Sequence, residues 1–224
     1  MIVKLETIGE TVDLPDGLGA ISFDEFDELS RCARSLLREG EPGITLYRGE
    51  RRLKPKAIVL IDSLIELPFD DRRLVGAYAS MVATEIEACE SLAIKAHEIR
   101  ARVREMIAEL GTSLRTDPIG DAEWDFKSFA RWLSLSPRRE PGGTLLMRFL
   151  SFIDYVCDTG LNPSIAVIGL IDKLNPADVL QITRKARHES LEMLFLEYRV
   201  MDTADIEIPV WHVDRDGVLF SRAV

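Results

Sequence analysis

Three groups of side chains have the types and spacing to do chemistry. Asp117, Asp121, Glu123 and Asp125 place four carboxylates within nine residues, beside Pro118 and Gly120. Hard cations such as calcium take about six to eight oxygen ligands, and an irregular acid-rich loop can supply them. The spacing is not that of a DxDxDGxxxxxE loop, and an acidic helix start accounts for Glu123 and Asp125 equally well. The second group is basic. RGERRLKPK carries Arg51, Arg52, Lys54 and Lys56; an acid-free stretch from Phe126 carries Lys127, Arg131, Arg138 and Arg139; and RKAR carries Arg184, Lys185 and Arg187. Clustered cations neutralise phosphates, although the same residues also make ordinary solvated faces. Third, AIVLID ends in Asp62, where nucleoside-triphosphate hydrolases keep a magnesium-positioning acid. No GxxxxGK[ST] loop occurs anywhere, so nothing cradles the phosphates and no ATPase activity is expected.

Other catalytic classes find little support. His97, His188 and His212 have no HxxxH or HExxH spacing, and no GxSxG elbow is present. Cys32, Cys89 and Cys157 are an odd set without a CxxC pair, which argues against a zinc ribbon, a redox dithiol or a disulfide framework. A reducing cytoplasm is the expected setting. The start of the chain alternates apolar and polar residues without a basic segment leading into an apolar one, so no secretory signal is expected. No apolar run approaches the roughly 18 residues that would span a membrane. The 224 residues carry net charge −10, which opposes nucleic-acid binding as a total. The distribution is uneven: residues 1–47 hold ten acids and four bases, while residues 48–56 hold five bases and one acid. An acidic background with basic clusters permits a local anion-binding face.

These residues need a scaffold. IVKLETI and GAISF read as short strands, DEFDELSRCARSLLREG as an amphipathic helix stopped by Gly40, and GITLYRG and KAIVLIDSLIEL as further strands. From Asp70 to Gly111 apolar residues recur every three or four positions without proline, which predicts one helix of about 40 residues, roughly 60 Å long. Such a helix projects as a leg and packs on another long helix or another subunit. A short helix over 123–135 and the apolar helix TLLMRFLSFIDYVCDTG follow. SIAVIGLI, then PADVLQITRKARHE, then LEMLFLEY predict a strand, helix and parallel strand, and Asp-Gly within IPVWHVDRDGVLFSRA predicts a closing hairpin. The expected architecture is an α/β head from residues 1–69 and 161–224, with a helical leg, 70–160, inserted between them.

This order of elements resembles the CRISPR type II-A adaptation accessory protein family. The likeness rests on ITLYRGERRLKPKAIVLIDSLIEL, on SIAVIGLIDKLNPADVLQI, on MLFLEYR with Leu196, Glu197 and Arg199, and on the Asp214/Asp216 turn of the last hairpin. It implies a degenerate P-loop-NTPase-like (RecA-like) mixed sheet without nucleotide hydrolysis. It further implies a homotetrameric ring that threads double-stranded DNA by its ends through a basic channel and is stabilised by calcium. The partners implied are the adaptation integrase complex and the type II effector nuclease, in spacer acquisition. Carried over, the calcium ligands are Asp121, Glu123 and Asp125 with Asp117 in addition. Where the family has an acid in the following helix, this chain has Ala130 and Arg131. The channel residues are Arg51, Arg52, Lys54 and Lys56, then Arg138 and Arg139, then Arg184, Lys185 and Arg187. The competing reading is a helical oligomerisation or interaction scaffold that does not touch DNA.

Overall fold

Apolar runs at both ends of the chain and a helical periodicity between them lay out the protein. The computed structural model describes residues 1–113, 125–133, 135, 137, 142–199 and 206–222. Its strands are β1 (Ile2–Leu5), β2 (Glu10–Asp13), β3 (Leu18–Phe23), β4 (Ile44–Arg48), β5 (Arg51–Arg52), β6 (Ile58–Ile61), β7 (Ser164–Ile168), β8 (Met193–Tyr198), β9 (Val210–Val213) and β10 (Leu219–Arg222). Its helices are α1 (Phe26–Leu37), α2 (Arg72–Ala88), α3 (Glu90–Ser113), α4 (Phe126–Trp132), α5 (Leu145–Asp158) and α6 (Pro176–His188). Two compact units result: Met1–Pro68 with Arg139–Cys157 and Asn162–Val224, and Phe69–Arg138 with Asp158–Leu161. The residues of α5 up to Cys157 thus count with the first unit.

The first unit is the mixed α/β head. A six-stranded sheet runs β10-β9-β3-β8-β7-β6, parallel except for the β9–β10 hairpin. In chain order its five parallel strands lie 5-1-4-3-2. Every residue of β3 is buried, as a strand covered on both faces requires. The basic connection does not join neighbouring strands of one sheet, because β4 pairs with β1 in a separate antiparallel sheet, β2-β1-β4-β5, while β6 forms the edge of the large one. Pro55, opening the 3-10 turn Pro55–Ala57, cannot donate to a ladder and separates the two.

Helix α1 fills the space between the sheets. Its Leu29, Cys32 and Leu36 join Val3, Leu5 and Leu46 of the small sheet and Ile21, Phe23 and Leu196 of the large one in a single core. Removing such a side chain costs about 2–5 kcal/mol. Asn175 accepts from Asp178 N–H at 2.9 Å and caps α6, with Pro176 in the first turn as its sequence predicts.

In the second unit the predicted single helix is two. Cys89 has φ −104° and ψ 103°, outside the helical region, and its carbonyl accepts from Leu92 and Ala93 to begin α3. No glycine or proline marks the break. Asp71 caps α2, accepting from Arg73 N–H at 2.8 Å, and α2 packs on α4. No helix among the described residues is long and apolar enough to cross a membrane.

One ionic network ties the two sheets of the head together. Arg48 of β4 donates to Glu192, just before β8, at 3.0 and 2.7 Å and to the Asn162 carbonyl at 3.2 Å, while Ser164 of β7 also donates to Glu192. Burial alone would raise the Glu192 carboxyl, but the hydrogen bonds from Arg48 and Ser164 outweigh it and hold it below the usual carboxylate range. Arg48→Ala is therefore expected to cost about 1–2 kcal/mol at pH 7, a figure reduced for the exposure of Arg48. A depressed carboxyl stabilises above its unfolded pKa and loses that contribution on acidification, so urea titrations should show the deficit shrinking below pH 4.

Candidate nucleic-acid interface

The basic residues of the first unit fall into two electrostatic populations. Arg51 and Arg52 form β5, the exposed edge of the small sheet, after a turn at Gly49 with φ +59°, where a left-handed conformation favours glycine. Lys54 and Lys56 follow, also exposed. Arg51, Arg52 and Lys54 have no acidic partner among the described residues. Leu53 between them is buried and its N–H bonds to the Leu46 carbonyl at 2.8 Å, which anchors the strip.

The cations of α6 are occupied. Arg184 pairs with Glu207 at 3.1 Å, Lys185 with Asp154 of α5 at 2.5 Å, and Arg187 with Asp16 at 3.3 Å. The hydrogen bond from Lys185 to Asp154 raises the ammonium pKa. These pairs are individually weak at partly exposed positions, yet each sets an acid beside its cation and so reduces the attraction that cation offers a phosphate. The structure thus ranks the hairpin above α6 as an anion-binding surface. Arg138 and Arg139 lie outside the described residues.

Of the acidic stretch, Asp117, Asp121 and Glu123 also lie outside the described residues. Asp125 caps α4, its Oδ1 accepting from Ser128 N–H at 2.6 Å, and that bond lowers the carboxyl pKa. Both the backbone N–H and the side chain of Ser128 engage this carboxylate, so Asp125 serves the start of the helix. Ala130 is fully buried and Arg131 exposed, so α4 adds no ligand at those two positions. No group of three or more metal-binding side chains occurs among the described residues.

The carboxyl ends of parallel strands are where α/β sheets commonly take ligands. Here the turn from β3 to α1 consists of Asp24 and Glu25 alone. Two residues cannot wrap a phosphate, and their charge repels one. Asp62 follows β6, with β7 and β8 between that edge strand and β3. A polar row that the sequence patterns did not reveal crosses the centre instead: Glu197 of β8 and His212 of β9 both register with Ser22 of β3. Ser22 Oγ lies 2.9 Å from His212 Nδ1, and His212 Nε2 lies 3.5 Å from Asp24. An acceptor-only Asp24 assigns the ring proton to Nε2, so Ser22 donates to Nδ1. The partners follow the order of a nucleophile, base and orienting acid, but Ser22 is 1% exposed and no carbonyl substrate can reach it.

Glu197 is fully buried; Oε1 accepts from Ile171 N–H at 2.9 Å and Oε2 has no hydrogen-bond partner among the described residues. Burial pushes its carboxyl up to about 7 despite the Ile171 bond.

Comparison with known proteins agrees at the level of fold. No family model matches the chain, and no curated protein matches it. The fold is similar to that in the crystal structure of Stu0660 of Streptococcus thermophilus, with TM-score 0.56 and 10% identity over 100% of this chain and 76% of that one.

Because the folded-state pKa of Glu197 exceeds its unfolded value, the protonated form stabilises fully below about 4.5, and that contribution is lost as pH rises through about 7. The unfolding free energy of the wild type, followed by urea titration, should fall over this window by up to about 3 kcal/mol, while Glu197→Gln flattens the step.

Proposed function

We propose that the chain is a non-catalytic double-stranded-DNA-binding protein of the CRISPR type II-A adaptation accessory type, taking DNA by its ends during spacer acquisition. The observation that carries this reading is the β4–β5 hairpin and the residues just after it: Arg51, Arg52 and Lys54 stand exposed without acidic partners among the described residues, on a chain of net charge −10. Contact by these side chains reaches phosphates and not base edges, so binding is independent of sequence and weakens with salt. The resemblance in the order of elements and the similarity in fold supply the class. The Asp24–Glu25 turn supports a protein that does not hydrolyse nucleotides.

In this reading the molecule works as a homotetrameric ring. An acidic exterior and a basic channel coexist in a ring, which reconciles the total charge with DNA binding. Exposed Ile94, Met106 and Leu110 of α3 and Trp132 of α4 are apolar surface of the kind subunits cover. Calcium, if resident, is held by Asp117, Asp121, Glu123 and Asp125, whose hard oxygens match its preference, and it supplies charge neutralisation that joins acidic segments. The adaptation integrase and the effector nuclease are the proposed partners, in the cytoplasm. The same apolar helices are also what favours the second reading, an oligomerisation scaffold that does not touch DNA.

The double charge reversal Arg51→Glu with Arg52→Glu separates the two. On the DNA-binding reading, gel shifts on linear duplex at low salt lose at least tenfold in affinity, closed circles bind poorly throughout, and light scattering in calcium still gives about four times the 25.2 kDa chain mass. A wild-type tetramer that binds neither linear nor circular duplex, with or without calcium, establishes the scaffold.

A further inference from the structure

We propose that the groove between the end of α1 and the turn after β5 is a phosphate-ester subsite. This concavity, about 250 Å³, is lined by Arg38 from the end of α1, Arg52 from β5 and Lys54 from the start of the 3-10 turn, over a floor of Leu36, Leu46 and Leu53. Three separate elements therefore bring a cation to one depression. Convergent cations repel each other unless an anion settles among them. The counter-charges present are Glu39 on the wall and Glu41, which pairs with Arg38 at 3.1 Å across a largely exposed contact. The end of α1 adds only partial negative charge. Arg52 and Lys54 have no partner among the described residues, which leaves an excess of positive charge in the depression.

The chemistry selects the ligand class. The forked guanidinium groups of Arg38 and Arg52 suit phosphate oxygens in pairs, and Lys54 adds a compact charge to the same lining. The apolar floor accepts the face of a sugar or base attached to that phosphate. The volume admits about one nucleotide unit and not a folded partner. The inference rests on the DNA-binding reading only for where the phosphate comes from: a polynucleotide backbone or end, or a free phosphate ester. It adds Arg38, a residue outside the basic clusters, to the surface.

The test uses the whole chain and inorganic pyrophosphate, followed by NMR at low salt. Saturable shifts are expected at the amides of Arg38, Arg52, Leu53 and Lys54. Arg38→Gln should weaken binding about fivefold and Glu39→Gln should tighten it, opposite signs that a general loss of structure cannot produce. Arg215→Gln, in the turn between β9 and β10 and paired with Glu25 at 3.6 Å, is the control and should change nothing. Shifts that fail to saturate, that spread evenly over α6, or that ignore Arg38→Gln overturn the proposal. Linear duplex then identifies the source. If Arg38→Gln also weakens duplex binding and lowers the slope of log affinity against log salt by about 1, the phosphate belongs to a polynucleotide. If pyrophosphate binding responds and duplex binding does not, the subsite serves a free phosphate ester. Loss of duplex binding in Arg51→Glu/Arg52→Glu tests the DNA reading separately, so the two can fail independently.

Discussion

Parallel pairing of β3 with both β8 and β9 is the constraint on which the head depends. It brings residues 18–23 against 193–198 on one side and 210–213 on the other, so the fold closes only when both ends of the chain are present. Gly19 shows how tight the fit is: a Cβ there would lie 2.6 Å from Leu14 Cδ2 and 3.0 Å from the Trp211 ring. Loop-closure entropy grows only with the logarithm of loop length. Once the strands pair strongly enough to close so large a loop, inserting the helices of the second unit between β6 and β7 adds little further cost. The long-range pairing and the helical insertion are thus compatible for one physical reason.

The same constraint sorts the charges. A sheet buried on both faces expels ions to its edges and helix surfaces, and the few polar groups that remain inside must satisfy one another. Ser22 and His212 do so, while Glu197 relies on the backbone N–H of Ile171 for one oxygen and leaves Oε2 without a partner among the described residues. At the surface, the cations of α6 pair with Glu207, Asp154 and Asp16, whereas Arg51 and Arg52 of the edge strand β5 form no ion pair among the described residues. Edge strands commonly carry charge because it blocks pairing with another chain, and Arg51 and Arg52 serve that purpose whatever else they bind.

Much of this was readable from the sequence. The apolar runs SIAVI and MLFLEY gave β7 and β8, and Asp-Gly gave the last hairpin, where Asp214 accepts from Asp216 and Val218 and Gly217 has φ +74°. Strand β2 was not legible: in ETVD only Val12 is buried, and its pairing to β1 supplies what its composition does not. The break at Cys89 was equally hidden, because the residues on both sides keep helical periodicity and no breaker stands between them. For the candidate interface, the basic residues were visible but their ranking was not. Asp16 lies 171 residues from Arg187 and Glu207 lies 23 from Arg184, so local charge patterns cannot show which cations are already neutralised.

The carboxyl edge of the large sheet shows how this head departs from a nucleotide-binding sheet. That edge is where an α/β protein ordinarily opens a crevice, and here the concavity beside the ends of β3 and β9, about 560 Å³, is lined by Glu25, Asp27, Glu28, Asp214 and Asp216, with Arg31 and Arg215 as its cations. Asp24 and Glu25 fill the turn where a phosphate cradle would need length and amide donors. The acid on the neighbouring strand, Glu197, spends one oxygen on the backbone of the turn Ile171–Lys173 and is buried with the other unpaired among the described residues. Ser22, which has a base within reach, has no open side. Ser22 and Glu197 thus carry reactive groups without access from solvent, and the sheet positions the surface around them. That surface includes the exposed cations Arg51, Arg52 and Lys54 beside the small-sheet edge, anchored by the buried Leu53, and on the proposed reading this strip is what holds an anion in place.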